Sequence, residues 1–295
     1  MNHPALAGHV PAPAAHTAHV GDSSIGALLL ESGKITPENA ERVLRMQKEL
    51  GIRFGEAALR LGLISEADIQ QVLARQFDYP YLQEGEGKFS SELVAAYQPF
   101  SPQMEILRAV RSQLMLRWFS LGRKALVVAS VDSGDGASLF AANLAVVFSQ
   151  LGERTLLVDA NLRKPRQHEI FALEERQGLS DVLAGRAQQD AISVIDSFVD
   201  LSVLGAGTLP PNPQELLSRT AFGALNTQLE ERYDVVLYDV ASVSSGSDAF
   251  VMGARVGGVL LVVRKNKTRL ADIDAMREQL QRSGAEVVGS VLVDY

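Results

Sequence analysis

The chain of 295 residues contains no cysteine. That excludes a disulfide framework, a thiolate nucleophile and any zinc or iron–sulfur centre held by sulfur. Long apolar runs are missing too. The densest, Val256 to Val263, includes two glycines and stops at Arg264, short of the roughly 18 to 20 apolar residues a membrane helix needs. Basic charge is in deficit: 28 Lys and Arg against 35 Asp and Glu give a formal charge of −7, which argues against nonspecific nucleic-acid binding through a basic face. The first 20 residues lack the basic start and apolar core of a signal peptide, so a cytoplasmic compartment is expected.

Residues 1–21 are rich in Ala, Pro and His without helical or strand periodicity, and they read as a disordered tail. Four of the five histidines, His3, His9, His16 and His19, lie there at irregular spacing that suits a flexible arm better than a metal site. An internal repeat follows. Ser24-Ile25-Gly26-x-x-Leu29-x-x-x-Gly33, continued by Ala40, Leu44 and Gln47, recurs 29 residues on as Arg53-Phe54-Gly55-x-x-Ala58-x-x-x-Gly62, continued by Ile69, Leu73 and Gln76. In each copy a short helix is expected to end at Gly33 or Gly62, and Thr36-Pro37-Glu38 or Ser65-Glu66 opens a second. The repeat predicts a small all-α domain over 22–80, with a linker over 81–100 marked by Gly85, Gly87 and Pro99 and holding one helical turn.

From 101 to 121 the pattern is helical, with Glu105, Arg108 and Arg111 three apart on one side. Strand-like runs then alternate with helices: 125–129, 155–158, 201–204, 235–238, 258–263 and 287–293. Such alternation predicts an α/β domain, a mostly parallel sheet flanked by helices on both faces.

The first strand leads into Ser130-Val131-Asp132-Ser133-Gly134-Asp135-Gly136-Ala137-Ser138 and a helix. A glycine-rich turn between a buried strand and a helix N-terminus presents backbone N–H groups and the positive helix end to an anion. A working loop of this type carries lysine after the last glycine and a hydroxyl beside it for Mg²⁺. Ser138 supplies the hydroxyl, but position 137 is alanine. Two later strands end in Asp159 and Asp239, at the sheet edge where ligands and Mg²⁺ are held in this fold class.

Residues 101–295 resemble the bacterial tyrosine kinases of polysaccharide export. The resemblance is carried by Glu105-x-x-Arg108-x-x-Arg111, Gly134-x-Gly136-x-Ser138, Ala142-Asn143-Leu144-Ala145, Gln150-Leu151-Gly152 and Asp159-x-x-x-Arg163-x-Pro165-Arg166. It continues through Asn212-Pro213-x-Glu215-Leu216-Leu217, Tyr233-Asp234-Val235-Val236-x-x-Asp239, Ser247-Asp248-Ala249 and Leu261-Val262-Val263-Arg264. The resemblance implies a P-loop NTPase-like fold and ATP bound by Gly134, Asp135, Gly136, Ala137, Ser138, Arg163 and Arg264. It further implies Mg²⁺ on Ser138, Asp159 and Asp239, catalytic positions at 159, 161 and 239, and a homo-oligomer interface through Glu105, Arg108 and Arg111. A transmembrane polysaccharide copolymerase that sets chain length is the implied partner, holding the chain at the periphery of the inner membrane.

Departures from the family pattern fall on chemical groups. Ala137 replaces the loop's basic residue, Asn161 the second aspartate of Asp-x-Asp, and Asp239-Val240-Ala241-Ser242 the usual Asp-Thr-Pro-Pro. Val293 stands where an asparagine near the base is usual, and a tyrosine-rich tail gives way to a lone Tyr295. A preorganised charge-stabilising donor contributes roughly 3 to 4 kcal/mol in a transition state. The losses therefore predict suppressed phosphoryl transfer and a regulatory or scaffold role, with an active autophosphorylating kinase as the alternative. A partitioning or septum-site type ATPase, which shares the deviant P-loop fold, is a further alternative, but Val131 and Asp132 occupy the place of its signature lysine.

The repeat at 22–80 resembles the MshEN domain of type II secretion ATPases, whose better members bind cyclic di-GMP. That resemblance implies a dinucleotide site on Ile25, Gly26, Leu29, Gly33, Gln47, Arg53, Phe54, Gly55, Gly62 and Gln76. Arginine suits guanine because its planar fork stacks and makes paired hydrogen bonds. The second copy has Arg53, whereas the first has Ser24.

Overall fold

A computed structural model describes residues 25–76, 82 and 87–294, and the chain divides into two compact units at Asp78/Tyr79. The expected tail with its four histidines, Ser24, the side chain of Gln76 and Tyr295 lie outside the described residues.

The first unit holds α1 (Ile25–Glu31), α2 (Pro37–Leu50), α3 (Phe54–Arg60) and α4 (Glu66–Gln76), the two helix pairs of the repeat. Their ends follow from local chemistry. The Thr36 hydroxyl accepts from Asn39 N at 3.3 Å, with Pro37 in the first turn. Ser65 and Asp68 cap reciprocally: Asp68 N donates to Ser65 Oγ (3.2 Å) and Ser65 N to Asp68 Oδ2 (2.9 Å). Gly33 and Gly62 follow the first helix of each copy in the left-handed conformation, φ +68° and +65°. The copies interlock, α1 packing on α4 and α2 on α3, over a core of Leu29, Val43, Ala57, Ala58 and Val72.

The second unit opens with α5 (Val94–Tyr97) and α6 (Pro102–Arg117). It continues with β1 (Ala125–Ser130), α7 (Ala137–Ser149), β2 (Thr155–Ala160), α8 (Gln167–Ile170), α9 (Leu179–Leu183), β3 (Ile192–Val194), β4 (Leu201–Leu204), α10 (Pro213–Leu217) and α11 (Thr220–Arg232). The last elements are β5 (Val235–Val240), α12 (Asp248–Val256), β6 (Gly258–Arg264), α13 (Leu270–Arg282) and β7 (Glu286–Val293). The strands form one sheet in the order β3-β4-β2-β5-β1-β6-β7, parallel except for β3 at one edge. Alternate residues of each central strand serve opposite layers: Leu126, Val128, Leu157 and Leu237 face α6 and α7, while Val127, Val158, Val236 and Tyr238 face α11, α12 and α13. Both faces are covered, so β1, β2 and β5 are buried throughout, as parallel strands require.

Part of the stretch expected to be a linker is folded. Leu93, Ala95 and Ala96 are fully buried against α7. Ala95 N donates to Asn143 Oδ1 (2.8 Å) and Gln150 Nε2 to Ala95 O (3.1 Å). Two family-motif residues, Asn143 and Gln150, thus anchor α5, the single helical turn expected in this stretch.

Candidate functional site

The loop between β1 and α7 turns twice through glycine, Gly134 at φ +85° and Gly136 at φ +88°, a region other residues enter at a cost. It borders a cavity of about 360 Å³, walled by Gly134, Gly136, Ala137 and Ser138 on one side and by Asn161 and Lys164 on the other. Ala137 is the first residue of α7, so a methyl group stands where the resemblance places a cation.

Beneath the cavity, β2 and β5 pair in register Asp159 to Asp239, and both carboxylates are fully buried. Asp159 Oδ2 accepts from Arg166 N (3.0 Å) and Gln167 N (2.9 Å), and Oδ1 from Asn161 N (3.2 Å). Asp239 Oδ1 accepts from Ser138 Oγ (3.1 Å) and Oδ2 from Gln167 Nε2 (2.8 Å). Burial, and after it the Asp239 charge, pushes Asp159 well above the usual carboxylate range despite its backbone donors. Burial also raises Asp239, against the opposing hydrogen bonds of Gln167 and Ser138. Two carboxylates and a hydroxyl meeting at the sheet edge are hard oxygen donors suited to Mg²⁺, and a dication would balance a buried like-charge pair.

Asn161 keeps its turn without its charge: its Oδ1 accepts from Lys164 N at 3.1 Å, an acceptor role that an aspartate would fill equally well. Arg163 borders the cavity but is committed elsewhere. Its Nε and Nη2 grip the fully buried Asp248 at 2.6 and 3.0 Å. Arg264 Nη1 donates to Gly134 O (2.9 Å), so it braces the loop's carbonyl side. Asp135 departs from its expected place as a cofactor ligand. It is fully buried and turned back on the loop, accepting from Asp132 N (3.0 Å) and Thr268 Oγ1 (3.2 Å), with Lys267 Nζ at 3.1 Å. Gln167, Thr268 and Lys267 are site residues that the sequence reading missed. Gln167 adjoins Arg163-x-Pro165-Arg166, whereas the other two follow Arg264 in a turn without any motif spacing.

On α6 both arginines of the expected oligomer face have partners within the chain. Arg108 Nη2 donates to Pro99 O (2.7 Å) and its Nη1 to Glu105, while Arg111 Nη1 donates to Val147 O (2.9 Å) near the end of α7. Glu105 is exposed. In the first unit, packing engages the repeat residues. Leu29 is fully buried, Ile25 and Phe54 flank the same core, and a Cβ on Gly26 would stand 3.2 Å from the Phe54 ring. A Cβ on Gly55 would stand 3.1 Å from Ile69. Arg53 is the N-cap of α3 in extended conformation, and Gln47 is half-buried, its carbonyl accepting from Gly51 N.

No family profile matches the chain. It is 32% identical over 205 residues to the tyrosine-protein kinase YwqD of Bacillus subtilis, covering 70% of this chain and 86% of that one. It is also 32% identical over 202 residues to the tyrosine-protein kinase Wzc of Salmonella typhi, where the match covers 68% of this chain and 28% of the relative. The solved kinase domain of the Escherichia coli tyrosine kinase ETK superposes with a TM-score of 0.67 at 28% identity, over 71% of this chain and 82% of that structure. With the loop, the paired aspartates and the sheet order arranged as described, the chain belongs to the family of bacterial tyrosine-kinase cytoplasmic domains.

Proposed function

We propose that this protein binds ATP and Mg²⁺ at the β1–α7 loop but transfers phosphate slowly or not at all, and that it serves polysaccharide export as a regulator or scaffold. The observation that carries the reading is Ala137 at the first position of α7, on the cavity wall, with Asn161 facing it. What holds a nucleotide is retained: loop amides, helix end, Ser138 and the aspartate pair. What stabilises charge during transfer is reduced by one loop cation and one carboxylate. Two described tyrosines also spend their hydroxyls internally, Tyr97 on Phe89 O and Tyr238 on Asn226 Oδ1.

Incubation of the purified chain with labelled ATP and Mg²⁺, with and without its membrane partner, is expected to leave tyrosine unlabelled. Ala137→Lys is expected to raise ATP-dependent thermal stabilisation and to restore up to about 10²-fold in rate. Wild-type labelling at the rate of the Ala137→Lys protein would overturn the reading.

An active kinase is the second reading, favoured by Lys164. Of the basic residues near the loop, Arg163 is held by Asp248, Arg166 pairs with Glu92 (2.9 Å) and Lys265 with Asp294 (2.7 Å), whereas Lys164 borders the cavity. Tyrosine labelling that disappears in Lys164→Ala would establish it. Within either reading α6 is the oligomer face through exposed Glu105, and unchanged sedimentation of Glu105→Lys would remove that role. The four-helix unit is proposed as a docking module or a cyclic di-GMP sensor, on the strength of its duplicated motif. Calorimetric titration of the chain with cyclic di-GMP decides between them, absence of heat leaving docking.

A further inference from the structure

We propose that the turn between β6 and α13 is a clasp that holds the phosphate loop from behind, with Lys267 and Thr268 as positioning residues for a nucleotide's phosphates. The proposal rests on the nucleotide reading of the same loop. Three side chains of this one turn reach three consecutive loop residues. Arg264 Nη1 donates to Gly134 O (2.9 Å), Lys267 Nζ to Ser133 O (3.3 Å), and Thr268 Oγ1 to Asp135 Oδ2 (3.2 Å). Lys267 also pairs with Asp135 Oδ1 at 3.1 Å.

The turn is closed by hydrogen bonds of its own. Thr268 N donates to Arg264 O (3.1 Å) and Arg264 N to Thr268 Oγ1 (3.0 Å), so one hydroxyl closes the turn and bonds the loop carboxylate. Asp135 is the loop's half of the clasp. A carboxylate with no exposure is costly unless paired, and Lys267 is the cation that reaches it.

The consequence for the cavity follows from peptide geometry. In a trans peptide the carbonyl of one residue and the N–H of the next point to opposite sides. Fixing the Ser133 carbonyl on Lys267 therefore directs the Gly134 N–H away from the clasp, and Gly134 is on the cavity wall. Glycine suits this position because φ is +85°, a conformation that strains a residue with a side chain; a Cβ would stand in ordinary contact with Lys267 Nζ, at 3.6 Å. Arg264 and Lys267 thus act behind the loop, where they set its shape, while the inner position is Ala137.

The test uses the full chain and four substitutions. Hydrogen exchange of amides 132–138 is measured without ligand, and Mg-ADP affinity is measured by calorimetry. Thr268→Val and Lys267→Met are each expected to speed exchange in this segment relative to β1 and β2 and to weaken ADP about tenfold, with Lys267→Arg staying within about twofold of wild type. Thr268→Val keeps the ion pair, so it carries the test if Lys267→Met fails to fold. Unchanged loop exchange in Thr268→Val overturns the clasp, and faster exchange with unchanged ADP affinity overturns its positioning role. Tighter ADP binding by Asp135→Asn also overturns it, because a released Lys267 would then be meeting phosphate directly. If the wild type binds no ADP while the variants still loosen the loop, the nucleotide reading falls and the clasp stands.

Discussion

The helical repeat and the sheet edge both announce themselves by glycines at fixed spacing, yet they differ in what they bury. In the repeat, the buried residues described are apolar: Leu29, Ile35, Ala40, Val43, Ala57, Ala58, Ile64, Val72 and Ala74. Its glycines end helices or let Phe54 and Ile69 approach. At the sheet edge Asp135, Asp159, Asp239 and Asp248 are all fully buried. Packing alone accounts for the first set and cannot account for the second, because a buried carboxylate is unfavourable until a cation or donors match it. Two of the four have basic partners, Asp248 with Arg163 and Asp135 with Lys267. The other two face each other's strand end with neutral donors only, which is where a ligand cation has a task.

The largest test of this contrast is Arg163→Ala. It leaves Asp248 buried without its guanidinium and is expected to cost about 2 to 4 kcal/mol, toward the lower end of broken buried pairs because Arg163 is part-exposed. Arg163→Lys should recover some of the loss, since it restores charge but not the two-bond fork. Trp118, the sole tryptophan, is buried in the second unit with its indole N–H on Ala125 O, so its fluorescence during urea unfolding reports that unit. A midpoint equal to wild type would mean that buried charge is not what distinguishes the sheet edge.

Gly26→Val probes the other side of the comparison. Added atoms would press on the Phe54 ring, already 3.2 Å from the place of a Cβ, for an expected loss of about 1 to 3 kcal/mol. Phe54→Leu in the same chain should return part of it, as volume-exchanging neighbours couple. Hydrogen exchange in α1 and α3 measures both. Unchanged protection in Gly26→Val would separate the motif glycine from packing and reopen a ligand role for the repeat.

Much of this contrast was legible in the sequence, for physical reasons particular to each segment. The strands β1, β2 and β5 were visible because both faces are covered, which leaves continuous apolar runs. The antiparallel β3 was not: its three edge residues, Ile192–Val194, two half-buried and one exposed, carry no pattern. Asp159 and Asp239 were found by their place at strand ends. Asp135 was placed among the cofactor-binding positions by the resemblance, but whether a loop side chain faces the cavity or turns back is settled by Lys267 and Thr268, more than 130 residues away. Arg163 was likewise recognised by motif, whereas its pairing with Asp248 depends on how β2 and α12 meet at the sheet edge.

Acid titration draws the smallest effect and divides the two regions by sign. Asp68, held by Lys34 Nζ at 2.7 Å and by the Ser65 cap, has its carboxyl lowered to about 2. Its folded value lies below the unfolded one, near 3.9, so its stabilisation is complete above about pH 4 and is lost as pH falls toward 2. The pair is near the surface, which limits the effect to about 1 kcal/mol or less. Asp159 and Asp239 are shifted the other way: the folded state holds their protons more tightly, so the second unit loses stability as pH rises above the ordinary carboxylate value. Exchange in α4 should therefore quicken below pH 4, an effect that Lys34→Met reduces, while the Trp118 unfolding midpoint responds in the opposite sense at higher pH. If α4 keeps its full pH response without Lys34, the lowered Asp68 value belongs to the helix cap alone.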